Sequence, residues 1–232
     1  GGVFGLVSVY LRKFLHETPI FQEMQARKAV DREMPIKTIL RDHREASVIV
    51  ALMTWVLSTA IVVVILFTPA YLQKVFYIAP AMALKANAVA TVTLTIGCVF
   101  WGWLSDKLGT RLTMILGWGG MAATAYLFYL NLPGTEASLI CTYATVGFFV
   151  GSISLLPVVG VRAFPADVRF TGLSFAYNMA YAVFGGLTPM LVSVWQQRDV
   201  MAPAHYVAAM GVLGVLMAFW PLACKGWQAK KA

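Results

Sequence analysis

Gly102-Trp103-Leu104-Ser105-Asp106-Lys107-Leu108-Gly109-Thr110-Arg111 is a charged turn between two long apolar runs, and its reading decides the fold. The runs are Ala86–Leu104 and Leu112–Leu132. Each has about the 20 residues that a helix, rising roughly 1.5 Å per residue, needs to cross a hydrocarbon core about 30 Å thick. The connector Ser105–Arg111 leaves no room for a soluble domain, so the two runs form an antiparallel pair. Helices are the default because an open strand edge cannot be satisfied in lipid.

Outward from this hairpin, four further runs have similar length and composition: Ala46–Tyr71 before it, and Ala137–Val161, Thr171–Trp195 and Tyr206–Cys224 after it. Their connectors are short and carry Pro80, Pro133-Gly134, Pro165 and Pro203. The sequence therefore predicts an all-α integral membrane protein with six transmembrane helices in residues 46–224. Residues 1–11 read as the end of a preceding transmembrane helix, 12–45 as a linker on one membrane face and 225–232 as a tail on that same face. The first run lacks the basic-then-apolar order of a signal peptide. Composition agrees, since 12% of the 232 residues are charged, 59% are hydrophobic and mean hydropathy is +0.74. A soluble domain needs about twice that charge to cover its surface.

The formal charge of +8 is topological. Of 18 Lys and Arg residues, fifteen fall on one alternating set of connectors and ends, and three (Lys74, Lys85 and Arg198) on the other. The positive-inside rule assigns the rich set, and the chain's end, to the cytoplasm of a cell whose cytoplasmic (inner) membrane holds the protein. The charge then faces an anionic lipid leaflet, and nucleic acid is not an expected partner. Residues 12–45 read either as amphipathic surface helices or as a solvated linker. Cys98, Cys141 and Cys224 stand in apolar runs at no metal-ligand spacing, so no metal or other cofactor is expected.

Within the turn, Gly102 allows close helix approach, Gly109 permits the tight bend, and Asp106 can pair with Lys107 or Arg111. Such a contact can latch a bundle in one state and release it in another. The plainer alternative is an ordinary charged turn that keeps two helices from sliding into lipid. The pattern resembles the major facilitator superfamily signature Gly-x-Leu-x-Asp-Arg/Lys-x-Gly-Arg-Arg/Lys, with Thr110 departing from it. Leu15-His16-Glu17-Thr18-Pro19-Ile20-Phe21 and the region from Phe164-Pro165 through Arg169 to Pro189 look like elements of the metabolite:proton symporters in that superfamily, which include permeases for alpha-ketoglutarate, citrate, shikimate and proline/betaine. Arg162 departs from relatives that carry an acidic residue two before Phe-Pro.

The resemblance implies the carboxy-terminal half of a twelve-helix fold, built from two inverted three-helix repeats and lacking its amino-terminal six-helix half. It implies proton-coupled symport of a small polar metabolite by alternating access, with an organic acid first and a proline/betaine-type osmolyte second. It also implies a gate built on Gly102, Asp106, Lys107, Gly109, Arg111 and Arg169. Two other readings stay open: a complete short channel or scaffold protein, and a non-functional transporter fragment.

No Asp, Glu, Lys or Arg lies in the middle of any span, so proton-carrying groups are expected in the absent half. Neutral polar residues do gather on helix faces. Trp55, Ser58 and Thr59 stand at i, i+3 and i+4. Asn87, Thr91, Thr95, Cys98 and Gly102 cover about 80°, and Ser174, Tyr177, Asn178, Tyr181, Gly185 and Thr188 about 100°, at roughly 100° per residue. Such groups either join helices or face a wet cavity. Trp55, Ser58, Thr59, Asn87, Thr91, Tyr177, Asn178 and Tyr181 are the substrate-binding candidates. Pro157 and Pro189 are expected to kink their spans. No hydrolase, metalloprotease or phosphate-binding motif is present, so enzymatic chemistry is not expected.

Overall fold

The computed structural model describes residues 41–220 except 167, together with Val7, Tyr10 and Ile39. The stub 1–11, most of 12–45 with Leu15–Phe21, Cys224 and the tail 225–232 thus lie wholly or largely outside the described residues. Among those described, five helices are long and apolar enough to cross a membrane: α1 (Arg44–Val75), α2 (Pro80–Leu108), α3 (Thr110–Leu130), α4 (Glu136–Ala163) and α5 (Arg169–Trp195). A sixth apolar helix, α6 (Ala202–Met217), is shorter. The helices run past the expected boundaries at most ends because helical hydrogen bonding continues into the polar interface. Proline opens α2 at Pro80, and Pro203 sits in the first turn of α6, where the missing N–H is harmless. Thr135 caps α4 by accepting from the Ser138 N–H at 3.2 Å.

The helices pair as α2 with α4, α1 with α5, and α3 with α6. Advancing each number by three, cyclically, returns the same pairs, which is the packing of a three-helix unit used twice. Lipid offers no hydrophobic force between helices, so the contacts depend on small residues and cross-helix hydrogen bonds. Along α2 and α4, a side chain at Gly97 would strike the Phe148 carbonyl, and one at Gly151 would lie 2.5 Å from the Cys98 nitrogen. The close approach lets Thr93 donate to the Ala144 carbonyl (2.7 Å) and the Trp101 indole to the Phe148 carbonyl (3.0 Å). Gly211 of α6 plays the same part against the Trp118 backbone of α3.

Three spans are not regular. Each contains a proline, and each departs from α geometry around the residue four before it. The four-back partner of Pro69 is Ile65, inside a π-helical stretch, Ala60–Phe67. That of Pro157 is Ile153, inside a 3-10 turn, Gly151–Ser154. That of Pro189 is Gly185, which closes a π turn, Tyr181–Gly185. A proline ring cannot donate to that carbonyl and clashes with it, so the helix changes its winding there.

Carbonyls in the α1 distortion are taken up by hydroxyls. Thr68 donates to the Val63 carbonyl at 2.8 Å, so the 2.9 Å contact between Thr68 and Tyr129 must use the Tyr129 proton. Tyr143 donates to the Val64 carbonyl. The same hydroxyl lies 2.7 Å from Asn87 Oδ1, to which it also donates, so one proton is shared between two acceptors and Asn87 is tied to the core of the bundle at its carbonyl end.

Candidate functional site

A cavity of about 400 Å³ opens where the three irregular spans meet. It is lined by Leu57 of α1, by Ile153, Ser154, Leu156 and Pro157 of α4, and by Leu173, Ser174, Tyr177 and Asn178 of α5. The distorted turn at Ile153–Ser154 is itself part of the wall. Ser154 Oγ is itself buried and has no hydrogen-bond partner among the described residues. Asn178 is exposed, with its amide nitrogen bound to the Ser174 carbonyl (2.8 Å), which leaves its oxygen pointing away from the helix as an acceptor. The Tyr177 and Tyr181 rings stack at 5.8 Å. The lining has no charged side chain. Such a site can hold a small molecule of no net charge through hydrogen bonds and ring faces.

The other candidates are placed differently. Trp55 stacks on Phe184 of α5 at 4.2 Å and 4°, and its indole N–H donates to Tyr206 of α6 (2.9 Å), which in turn meets Thr188 (3.1 Å). Trp55 therefore clasps α1, α5 and α6, with its polar end already used. Ser58 is fully buried and donates to the Trp55 carbonyl; Thr59 is fully buried and lacks a partner among the described residues. Neither is among the residues that line the cavity. Thr91 is exposed on α2, its hydroxyl donating back to the Asn87 carbonyl (2.8 Å), and it is not among the residues that line the cavity.

Exposure follows a pattern. In the most apolar stretches of α2 and α5, 22% is buried, against 44–61% in α1, α3 and α4. The faces left open carry Thr91 and Thr95 on α2 and Asn178 on α5. Gly102 and Gly186, on these same two helices, would meet nothing within 4 Å if given a side chain.

The expected connector Ser105–Arg111 narrows to a bend at Gly109, since one helix runs to Leu108 and the next starts at Thr110. Gly109 has φ 83° and ψ 150°, a region open to glycine almost alone. The expected pairing of Asp106 with Lys107 or Arg111 does not form among the described residues. Arg111 instead lies over the Phe219 ring, 4.5 Å from its centroid, which ties the start of α3 to the end of α6. Asp106 and Lys107 are exposed. Arg169 turns back to the Phe164 carbonyl at 3.2 Å and so braces the α4–α5 corner. At the opposite end, His205 lies between Tyr126 (2.6 Å) and Asp199 (3.2 Å), outside the cavity.

Three partners escaped the sequence reading. Ser154 was hidden in an apolar span, although the run Gly151-Ser152-Ile153-Ser154 before Pro157 marks a break. Tyr206 and Tyr143 left no pattern, because their partners are 151 and 56 residues away.

Comparison with known proteins adds to this picture. The family model of the Major Facilitator Superfamily matches residues 1–189. A putative proline/betaine transporter of Staphylococcus aureus is 26% identical over 223 residues, covering 93% of this chain and 47% of that protein. A proline/betaine transporter of Salmonella typhimurium is 27% identical, covering 91% and 45%. An ectoine/proline transporter of Corynebacterium glutamicum is 26% identical, covering 93% and 45%. The chain thus spans about half the length of the curated relatives it matches. Among solved structures, the inward-open xylose transporter XylE from E. coli superposes with a TM-score of 0.55 at 16% identity, over 76% of this chain and 47% of that one, a likeness of fold.

Proposed function

Since the chain belongs to the Major Facilitator Superfamily, we propose that it is the carboxy-terminal six-helix part of a secondary active transporter working by alternating access. The observation that carries this reading is the low burial of α2 and α5, whose open faces hold polar side chains and unapproached glycines. In a membrane such faces call for a protein partner, and a preceding six-helix half supplies one. The cavity between α1, α4 and α5 is then this half's share of the substrate path. Irregular helix turns at its wall fit that role, since broken spans expose backbone only where a cavity is lined.

The substrate is a small zwitterionic osmolyte of the proline/betaine type, placed ahead of an organic acid. The names of the relatives support this order, and so does a cavity lining without a fixed cation. Protons drive uptake, and their carriers reside in the other half. The basic face lies in the cytoplasm of a cell bounded by the membrane that holds the protein. Ser174, Tyr177, Asn178 and Ser154 contact the substrate; Tyr181 supports Tyr177 through stacking. Asn87 and Thr91 face the other half, and Trp55, Ser58 and Thr59 stiffen the wall from behind. Asp106 and Lys107 meet the other half at the cytoplasmic side when the gate is shut.

The test is uptake of labelled proline and glycine betaine by cells expressing the full-length protein, with citrate and alpha-ketoglutarate as competitors and a protonophore to collapse the gradient. Osmolyte uptake that the protonophore abolishes and the acids do not inhibit is the expected result. Uptake of the acids alone would overturn the substrate assignment. Asn178→Ala removes an acceptor worth about 1 kcal/mol and should raise KM about fivefold.

A further inference from the structure

Two residues depart from the family pattern, Thr110 in the gate turn and Arg162 near the end of α4, and the folded chain brings them into contact. Arg162 donates from Nη1 to Thr110 Oγ1 at 3.1 Å. Ser105 Oγ, in the last turn of α2, lies 3.1 Å from the same oxygen. Thr110 and Ser105 are 6% and 7% exposed, so this oxygen is shielded from solvent. Three helices converge on it: α2 through Ser105, α3 through Thr110 and α4 through Arg162.

The chemistry at positions 110 and 162 is matched. A guanidinium only donates and is always charged, so its partner must offer a lone pair. A hydroxyl does so. A lysine or arginine at 110 would set two fixed cations at contact distance. It would need a carboxylate at 162, and this chain has none there. The polarity of the contact is therefore set in this chain with the cation on α4 and a neutral acceptor at the start of α3. The other flank of the turn is fixed by Arg111 on Phe219, so the turn is held from both sides with Asp106 left exposed.

We propose that Arg162 is a positioning residue of the gate: through Thr110 and Ser105 it sets the pose in which the Asp106–Arg111 turn meets the other half. This rests on the transporter reading above. Loosening the contact shifts the full-length protein away from the state closed on the basic side and open on the opposite side.

The experiment uses the full-length protein with its other cysteines replaced and a single Asn178→Cys in the cavity. A membrane-impermeant maleimide is added outside intact cells, and labelling is normalised to the protein in the membrane. Thr110→Arg should slow labelling about fivefold. Thr110→Arg combined with Arg162→Glu, which rebuilds an attractive pair, should return it to the parent rate, and Thr110→Ser, which keeps the acceptor, should leave it unchanged. If Thr110→Arg fails to accumulate, Arg162→Met removes the donor without adding charge and should slow labelling likewise. Labelling of Thr110→Arg or Arg162→Met at the parent rate, or a double variant no faster than Thr110→Arg, overturns the proposal. Labelling needs no correct substrate, so the two readings separate. A parent protein whose introduced thiol never reacts from outside sinks the transporter reading and this proposal together. A parent that reacts while Thr110→Arg matches it sinks this proposal alone.

Discussion

Gly109 and Tyr143 are two positions where a single atom carries a structural duty. At φ 83° and ψ 150°, any side chain on Gly109 is strained, so Gly109→Ala should cost about 1–3 kcal/mol and lower the thermal stability of the detergent-solubilised protein. Tyr143 holds the Val64 carbonyl that the π stretch of α1 leaves behind. Tyr143→Phe orphans it and should cost about 1–3 kcal/mol, read in the same thermal assay. That Tyr177 and Asn178 share a helix face was legible from spacing alone, since period decides which residues lie together. The contacts of Trp55 were not. A tryptophan on a polar face looks the same in sequence whether its N–H meets a substrate or a tyrosine 151 residues away.

At the scale of the element, the three prolines explain where the helices change winding. Pro157→Ala restores a donor toward the Ile153 carbonyl, so the 3-10 turn at Gly151–Ser154 should relax toward α geometry and the cavity wall should move. Transport should fall about tenfold with the protein still present in the membrane, read as maximal uptake rate against immunoblot signal. Unchanged uptake would mean that the turn is a passive result of the proline. Helix number, order and most of the lengths were legible, because roughly 20 apolar residues between charged connectors permit little else in lipid. The π stretch of α1 was not, since hydroxyls distant in sequence help to take its displaced carbonyls. Thr68 is local to its target, but Tyr143 comes from another helix.

For the whole molecule, the glycines separate two kinds of surface. Gly97, Gly147 and Gly151 are already in contact between α2 and α4, so a leucine at any of them should prevent the bundle from forming and reduce membrane-inserted protein. Gly102 meets nothing within 4 Å. Gly102→Leu should therefore leave the amount of full-length protein unchanged while lowering uptake about tenfold, by obstructing the face offered to the other half. Uptake equal to the parent would show that no close approach occurs at Gly102.

By itself, the sequence determined that two spans meet within Ser105–Arg111, that both are helices, and that the basic residues concentrate on alternate connectors, because lipid imposes these choices locally and span by span. Only the tertiary structure decided what that turn holds. Asp106 stands open, Arg111 rests on Phe219, and Thr110 receives Arg162. It likewise decided that the cavity falls between α1, α4 and α5 and that the Trp55 indole N–H is taken by Tyr206. The reason is range: helix period and hydropathy act within about one span, whereas these contacts join residues 52 to 151 positions apart, and only helix packing selects among them.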